Sequence, residues 1–312
     1  MTAATLLPIP MPLHLPPPLT LAAMLMLGAV PSSPAADLPP PPSLATERLA
    51  AASLAEHVAK LRKTAPKEFT IVTSPPFVVL GDDSPEVVRQ HAERTVKWAV
   101  EKLKQDYFKA DPAETISIWL FKDDDSYRKH AKLLFDDTPT TKFGYYSAAH
   151  RALVMNISTG GGTLVHEIVH PFIHANFPAC PAWFNEGLAS LYEQSTEKDG
   201  HIHGLVNWRF PALEKAIRDG KLISFQKLTA TSDREFYGGP DNPNYNQHYA
   251  QARYLCLYLQ EKGLLTKFYR EFVANAKADP TGYETLQRVL GEKDMDAFQE
   301  KWEKSILSLR TP

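Results

Sequence analysis

Cysteine is scarce in this sequence, and its scarcity limits the kinds of site that the chain can build. Only two of the 312 residues are cysteines, Cys180 and Cys256. A disulfide-dense scaffold and a four-cysteine zinc module are therefore excluded. Any metal ion must be bound mainly by histidine and carboxylate side chains. If the chain is exported, the two cysteines can form one disulfide, and the sequence leaves both states open.

A charge excess of either sign is also missing. The chain has 34 Lys and Arg residues against 36 Asp and Glu residues, and its formal net charge is -2. With 44% hydrophobic and 22% charged residues, its composition is typical of a soluble globular protein. Because proteins that bind phosphate backbones usually carry a basic excess, we expect no nucleic-acid partner.

Residues 1–36 contain no Lys, Arg, Asp or Glu, which sets them apart from the rest of the chain. The apolar run from Leu19 to Val30 is too short to span a bilayer as a mature helix, but it has the length of a signal-peptide core. Small residues at Ala35 and Ala36 suit cleavage. We predict a signal peptide over 1–36 and an extracytoplasmic mature protein, periplasmic or secreted, without a stable membrane span. Since the usual basic residues are missing, an uncleaved disordered leader is the alternative.

The rest of the chain divides into a linker and one domain. We assign 37–65 to a proline-rich linker with a short helix, and 66–312 to a single folded domain. Hydrophobic periodicity predicts a first half of strands with helices between them and a second half that is almost wholly helical. The predicted strands are 69–73, 77–80, 115–121, 143–146 and 151–157, and the first long helix runs from Ser84 to about Tyr107. This order predicts an α+β fold with a small mixed sheet, a mainly helical C-terminal half and a cleft between them.

Two histidines one helical turn apart follow a run of three glycines, in the pattern His166-Glu167-Ile-Val-His170. Residues at i and i+4 share one helix face, so both imidazoles can reach one zinc ion. The Glu167 carboxylate, beside the first histidine, can hold and deprotonate a metal-bound water. We predict His166 and His170 as metal ligands and Glu167 as the general base.

Zinc needs a third protein ligand, and a straight helix cannot supply it from two turns further on. His174 continues the histidine stripe but lies about 12 Å along the axis from His166. Glu186 is the better candidate because a proline-containing loop, 178–181, lets the chain reverse before it. The remaining histidines considered are expected on the surface or in loops: His150, His201, His203 and His248. For His203 and His248, a place in the cleft lining is the alternative.

The motif and the block Trp183-x-Asn185-Glu186-Gly187-x-Ala189 together resemble the gluzincin zinc metallopeptidases, in particular the peptidase MA-like families. The resemblance covers about 69–310 as a fold and 163–193 with specific motifs. It implies a zincin-like fold, Zn²⁺ held by His166, His170 and Glu186, and peptide-bond hydrolysis by a zinc-bound water that Glu167 activates.

The chain also departs from the family pattern. Ser190 stands where a thermolysin-type enzyme has an Asp behind a zinc-binding histidine, so Ser190 or Glu193 is expected to take that place. The Gly-x-Met-Glu-Asn element that binds a free substrate amine in aminopeptidase N is not found, so aminopeptidase activity is not assigned.

The remaining parts of the predicted site are an oxyanion donor and a substrate-binding edge. We select Tyr249 as the catalytic donor, because gluzincins generally use a downstream Tyr or His. Strand 151–157 is expected to be the edge that pairs with an extended peptide or protein substrate. The alternative function is a catalytically silent peptide- or polymer-binding protein on the same fold. The sequence does not decide the oligomeric state.

Overall fold

The computed structural model describes residues 44–238 and 245–310, and the predicted signal peptide and residues 37–43 lie outside this part of the chain. The helices before the predicted metal site are α1 (Leu44–Thr64), α2 (Pro85–His91), α3 (Trp98–Asp106) and α4 (Asp124–Phe135). Those that carry the site and follow it are α5 (Gly161–Asn176), α6 (Ala182–Leu191), α7 (Phe210–Arg218), α8 (Phe225–Thr229), α9 (Asp233–Tyr237), α10 (Tyr245–Glu261), α11 (Leu265–Asn275), α12 (Tyr283–Leu290) and α13 (Met295–Leu307). The strands are β1 (Thr70–Ser74), β2 (Phe77–Gly81), β3 (Ile116–Phe121), β4 (Gly144–Ser147), β5 (Ala152–Asn156), β6 (Ser195–Lys198) and β7 (His201–Gly204).

The first five strands form one mixed sheet in the order β1-β2-β3-β5-β4. β2, β3 and β5 run parallel in its centre, while β1 and β4 pair antiparallel at the two edges. β6 and β7 form a separate hairpin. The five strands of the sheet lie close to their predicted positions, whereas the β6–β7 hairpin lies in the half predicted to be almost wholly helical. α2 begins after Ser84, whose side chain accepts a hydrogen bond from the Val87 amide. A π-helical segment, Ala92–Lys97, interrupts the long helix predicted there.

The sheet is covered on both faces, because successive side chains of a strand point to opposite sides. In β3, Ile118 and Leu120 face the larger core with α5, whereas Trp119 and Phe121 face the smaller core with α4. α1 packs on the same side as α4, so the helix expected within 37–65 belongs to the compact unit that starts at Leu44. The mixed α/β composition with a small mixed sheet agrees with the α+β prediction.

Two glycines allow the helices of the predicted site to approach each other closely. A Cβ on Gly187 of α6 would lie 3.0 Å from the Ala252 carbonyl oxygen of α10. A Cβ on Gly162, in the first turn of α5, would lie 1.8 Å from the Glu193 carbonyl oxygen. Glycine is therefore required at 162 for steric reasons.

No helix among residues 44–238 and 245–310 is both long and apolar enough to cross a bilayer.

Candidate metal centre

α5 presents the two predicted histidine ligands on one face. The rings of His166 and His170 have centroids 4.9 Å apart and planes at 80° to each other. His166 is buried, while His170 and Glu167 are half-buried. The i, i+4 spacing thus gives the side-by-side arrangement expected from helix geometry. Glu167 keeps access to solvent beside the buried His166.

Glu186 on α6 completes the predicted set of three. Its Oε2 lies 3.3 Å from Nε2 of His166, and its Oε1 lies 3.8 Å from Nε2 of His170. One potential ligand atom from each of the three residues lies within 4.8 Å of the other two. His174 is exposed and does not belong to this group. The loop that reverses the chain between α5 and α6 therefore brings together the residues selected from the sequence.

The second nitrogen of each ring faces a hydrogen-bond acceptor. Nδ1 of His170 donates to the Asn185 side-chain oxygen at 2.9 Å. Nδ1 of His166 lies 3.4 Å from Oε1 of Glu193. With the protons on Nδ1, both Nε2 lone pairs are directed toward the side of the ring where Glu186 lies. Asn185 was part of the sequence motif, but its role was not predicted.

This arrangement fits a bound cation. Oε2 of Glu186 is buried and accepts no hydrogen bond from any residue of the described part of the chain. Burial opposes ionisation of this carboxyl, but the positive charges of His170 and His166 in the metal-free protein hold the pKa of Glu186 below its usual range. Two imidazole nitrogens and one carboxylate oxygen form a donor set that zinc commonly accepts. With both rings in the neutral form, their Nε2 lone pairs and the Glu186 oxygen would be available to a cation.

The sequence left open whether Ser190 or Glu193 stands behind a predicted histidine ligand. Glu193 lies against His166, and its carboxylate also accepts bonds from Arg209 and from the Asn207 amide. Ser190 is fully buried, and its hydroxyl has no hydrogen-bond partner among residues 44–238 and 245–310. The geometry therefore favours Glu193 for this position.

Tyr237 is a site residue that the sequence analysis missed. Its hydroxyl donates to Oε1 of Glu186 at 3.0 Å, and its side chain is 39% exposed. Burial and the neighbouring Glu186 charge raise the pKa of Tyr237, so the phenol stays a donor. The Ser232–Glu235 capping box indicates in the sequence where α9 begins. It does not indicate that Tyr237 contacts Glu186.

Tyr249, the predicted oxyanion donor, lies on α10 and is buried. Its ring is 5.1 Å from the Phe236 ring and 5.2 Å from the Arg209 guanidinium carbon. Because Arg209 binds Glu193, one guanidinium connects Tyr249 to the carboxylate behind His166. Its role as oxyanion donor stays a prediction.

Strand 151–157 is not an edge of the sheet, and that expectation was wrong. β5 pairs with β3 on one side and with β4 on the other, so both of its backbone edges are used. The outer strand on this side is Gly144–Ser147. Hydrophobic alternation reveals which face of a strand is buried, but it does not reveal the order of strands in a sheet.

The cysteines and the remaining histidines can also be placed. Cys180 and Cys256 are free thiols, and burial raises the pKa of both. His150 and His201 are exposed, as expected. His248 was expected at the surface, but it is only 6% exposed and stacks on the Phe236 ring. The disulfide between Cys180 and Cys256 that the sequence left open is absent from this structure.

Comparison with known proteins adds no assignment to this geometry. Neither a protein-family model nor a curated protein matches the chain.

Proposed function

We propose that this chain is a zinc metallopeptidase of gluzincin type with a zincin-like fold, and that it hydrolyses peptide bonds. The observation that carries the proposal is the convergence of His166, His170 and Glu186 within 4.8 Å beside the half-buried Glu167. His166, His170 and Glu186 would supply the three protein ligands that a catalytic zinc site uses, with water as the fourth.

The chemistry divides between the ion and the chain. When bound, zinc lowers the pKa of a coordinated water and polarises a carbonyl group. Glu167 takes a proton from the attacking water as the new C–O bond forms, and then delivers it to the leaving amine as the C–N bond breaks. Glu193 and Asn185 hold His166 and His170 in orientation from behind.

A donor to the developing oxyanion completes the proposed mechanism. Two tyrosines are candidates for this role. Tyr249 is the residue selected from the sequence, and Tyr237 already lies within hydrogen-bonding distance of Glu186. A tyrosine hydroxyl can stabilise the oxyanion by donating its proton in a hydrogen bond. Tyr237 is the better supported of the two, because its hydroxyl donates a 3.0 Å hydrogen bond to Glu186, the proposed third ligand.

The proposed substrate is an extended peptide or protein segment lying along β4. This outer strand has one unpaired backbone edge, which suits β-strand addition. Tyr146 is 46% exposed and is paired with Leu153, whose side chain belongs to the core that contains α5. Directly paired residues share a face of the sheet, so Tyr146 stands on the side of the metal-binding helix. Export of the mature chain remains part of the proposal on the sequence pattern alone.

The test measures zinc content and hydrolysis of a broad peptide library. The wild-type protein should bind one zinc per chain and cleave peptides, and His170→Ala should lose both properties. His174→Ala is the matched control, because this exposed histidine on the same helix should keep both. A wild type without zinc after reconstitution contradicts the proposal. A wild type that binds zinc but cleaves nothing favours the silent binding protein instead.

A further inference from the structure

Arg209 lies immediately before α7 and binds the carboxylate that stands behind His166. Its Nε donates to Oε2 of Glu193 at 2.9 Å, and its Nη2 donates to Oε1 at 2.7 Å. Both side chains are only 11% exposed. A two-point contact of this kind fixes the orientation of a carboxylate as well as its position.

Two aromatic rings fix the same guanidinium. Its central carbon lies 4.1 Å from the Trp208 ring centroid and 5.2 Å from the Tyr249 ring centroid. Both distances are within the range of cation–π attraction. Trp208 is 64% exposed, whereas Tyr249 is buried on α10. Arg209 therefore contacts Glu193, which follows α6, and Tyr249 of α10 at the same time.

We propose that Arg209 is a positioning residue of the metal centre. Arg209 holds Glu193 against His166 and sets the distance between Glu193 and Tyr249. The inference rests on the proposed function, since it concerns the same zinc site. Arg209 does not touch a ligand itself. It acts through Glu193, whose Oε1 is 3.4 Å from Nδ1 of His166.

A second buried arginine provides the contrast. Arg253 on α10 is also buried, but it donates to the backbone carbonyls of Ser190, Leu191 and Leu205. The first two of these bonds support the backbone at the C-terminal end of α6, and none of the three involves Glu193. Conservative substitution of the two arginines thus separates orientation of a metal ligand from simple support of the fold.

The experiment measures zinc affinity by competition with a chelator for wild type, Arg209→Lys, Glu193→Gln and the double variant, and records the melting temperature of each metal-free protein. We expect Glu193→Gln to weaken zinc binding roughly 10- to 100-fold and Arg209→Lys about tenfold, as found for outer partners of metal ligands. Because Arg209 acts through Glu193, the double variant should bind zinc no more weakly than Glu193→Gln. Arg253→Lys should lower the melting temperature and leave zinc affinity unchanged.

Several outcomes overturn the inference. An unchanged zinc affinity in Arg209→Lys would contradict action through Glu193. The same holds if the loss of zinc affinity in the double variant equals the product of the two single losses. If Arg209→Lys does not fold, Trp208→Ala replaces it, because an exposed ring can be removed without unfolding the protein. Loss of that cation–π contact should weaken zinc binding about threefold, and no loss would reject the inference. A wild type that binds no zinc would reject the proposed function and this inference together.

Discussion

The hydroxyl of Tyr237 donates a 3.0 Å hydrogen bond to Glu186, the carboxylate proposed as the third metal ligand. This bond orients the Glu186 carboxylate, and in the proposed mechanism the same hydroxyl is the donor to the substrate oxyanion. Tyr237 comes from α9, far from the sequence motif, so only the folded chain reveals this contact.

Tyr237→Phe should lower kcat by roughly 100-fold while zinc stoichiometry stays at one, because the variant loses a hydrogen-bond donor and keeps every proposed ligand. Steady-state kinetics with a cleaved library peptide and metal analysis measure both quantities. Tyr249→Phe is the matched variant. If only Tyr249→Phe lowers kcat, the choice made from the sequence is right and Tyr237 merely orients Glu186.

Glu167→Gln should separate metal binding from catalysis. The amide has nearly the same shape as the carboxylate but accepts no proton, so hydrolysis should fall by roughly two or more orders of magnitude. Zinc affinity and folding should be unchanged, because Glu167 is not a proposed ligand. Glu186→Ala should instead lose zinc and activity together. Full turnover by Glu167→Gln would remove the general base from the mechanism.

Gly162→Ala should destabilise the protein, because its methyl group would lie 1.8 Å from the Glu193 carbonyl oxygen. Relief of such a clash requires backbone movement, and overpacking of this kind costs about 1–3 kcal/mol or more. Gly161→Ala is the control in the same helical turn. Its methyl group would lie 3.3 Å from the Thr95 side chain, a much milder contact than the 1.8 Å approach to backbone at Gly162. Chemical denaturation compares the two. Equal stability of both variants would show that the backbone at Glu193 moves away from α5 at little cost in free energy.

The stability of the metal-free protein should depend on the ionisation of Glu193. Burial opposes ionisation, but the Arg209 hydrogen bonds and the neighbouring His166 outweigh it and lower the pKa of Glu193 to about 2. A lowered carboxyl pKa stabilises the fold fully above the unfolded value near 4.5, and this stabilisation is lost as pH falls toward 2. Melting temperatures recorded from pH 6 to about pH 2 should therefore fall less steeply in Glu193→Gln than in wild type. Parallel curves would contradict the assignment.

Tyr146→Ala should change which peptides are cleaved. An exposed aromatic ring on the α5 side of the outer strand offers apolar contact to a substrate side chain, so peptides with large apolar residues should lose about tenfold in kcat/KM relative to others. Leu133→Ala is the control, because Leu133 is 67% exposed on α4 and has no proposed contact with substrate. An unchanged cleavage profile would argue against binding along β4.

The sequence by itself determined the local parts of this site. The i, i+4 spacing of His166 and His170 dictates a shared helix face, and the loop before Glu186 permits the chain reversal that brings α6 against α5. The strand positions and the cap at Ser84 likewise follow from neighbouring residues. These features depend on interactions between residues close in the chain, whose spacing is visible in the sequence.

Tertiary structure decided the features that depend on distant segments. Strand order makes β4 the outer strand and places β5 inside the sheet, because pairing partners are set by packing and by crossover connections. Arg209 and Tyr237 reach Glu193 and Glu186 only when α7 packs on α10 and α9 packs on α6. Such contacts leave no periodic trace in the sequence, since the two partners lie in separate helices and connecting segments that only the packed fold brings together.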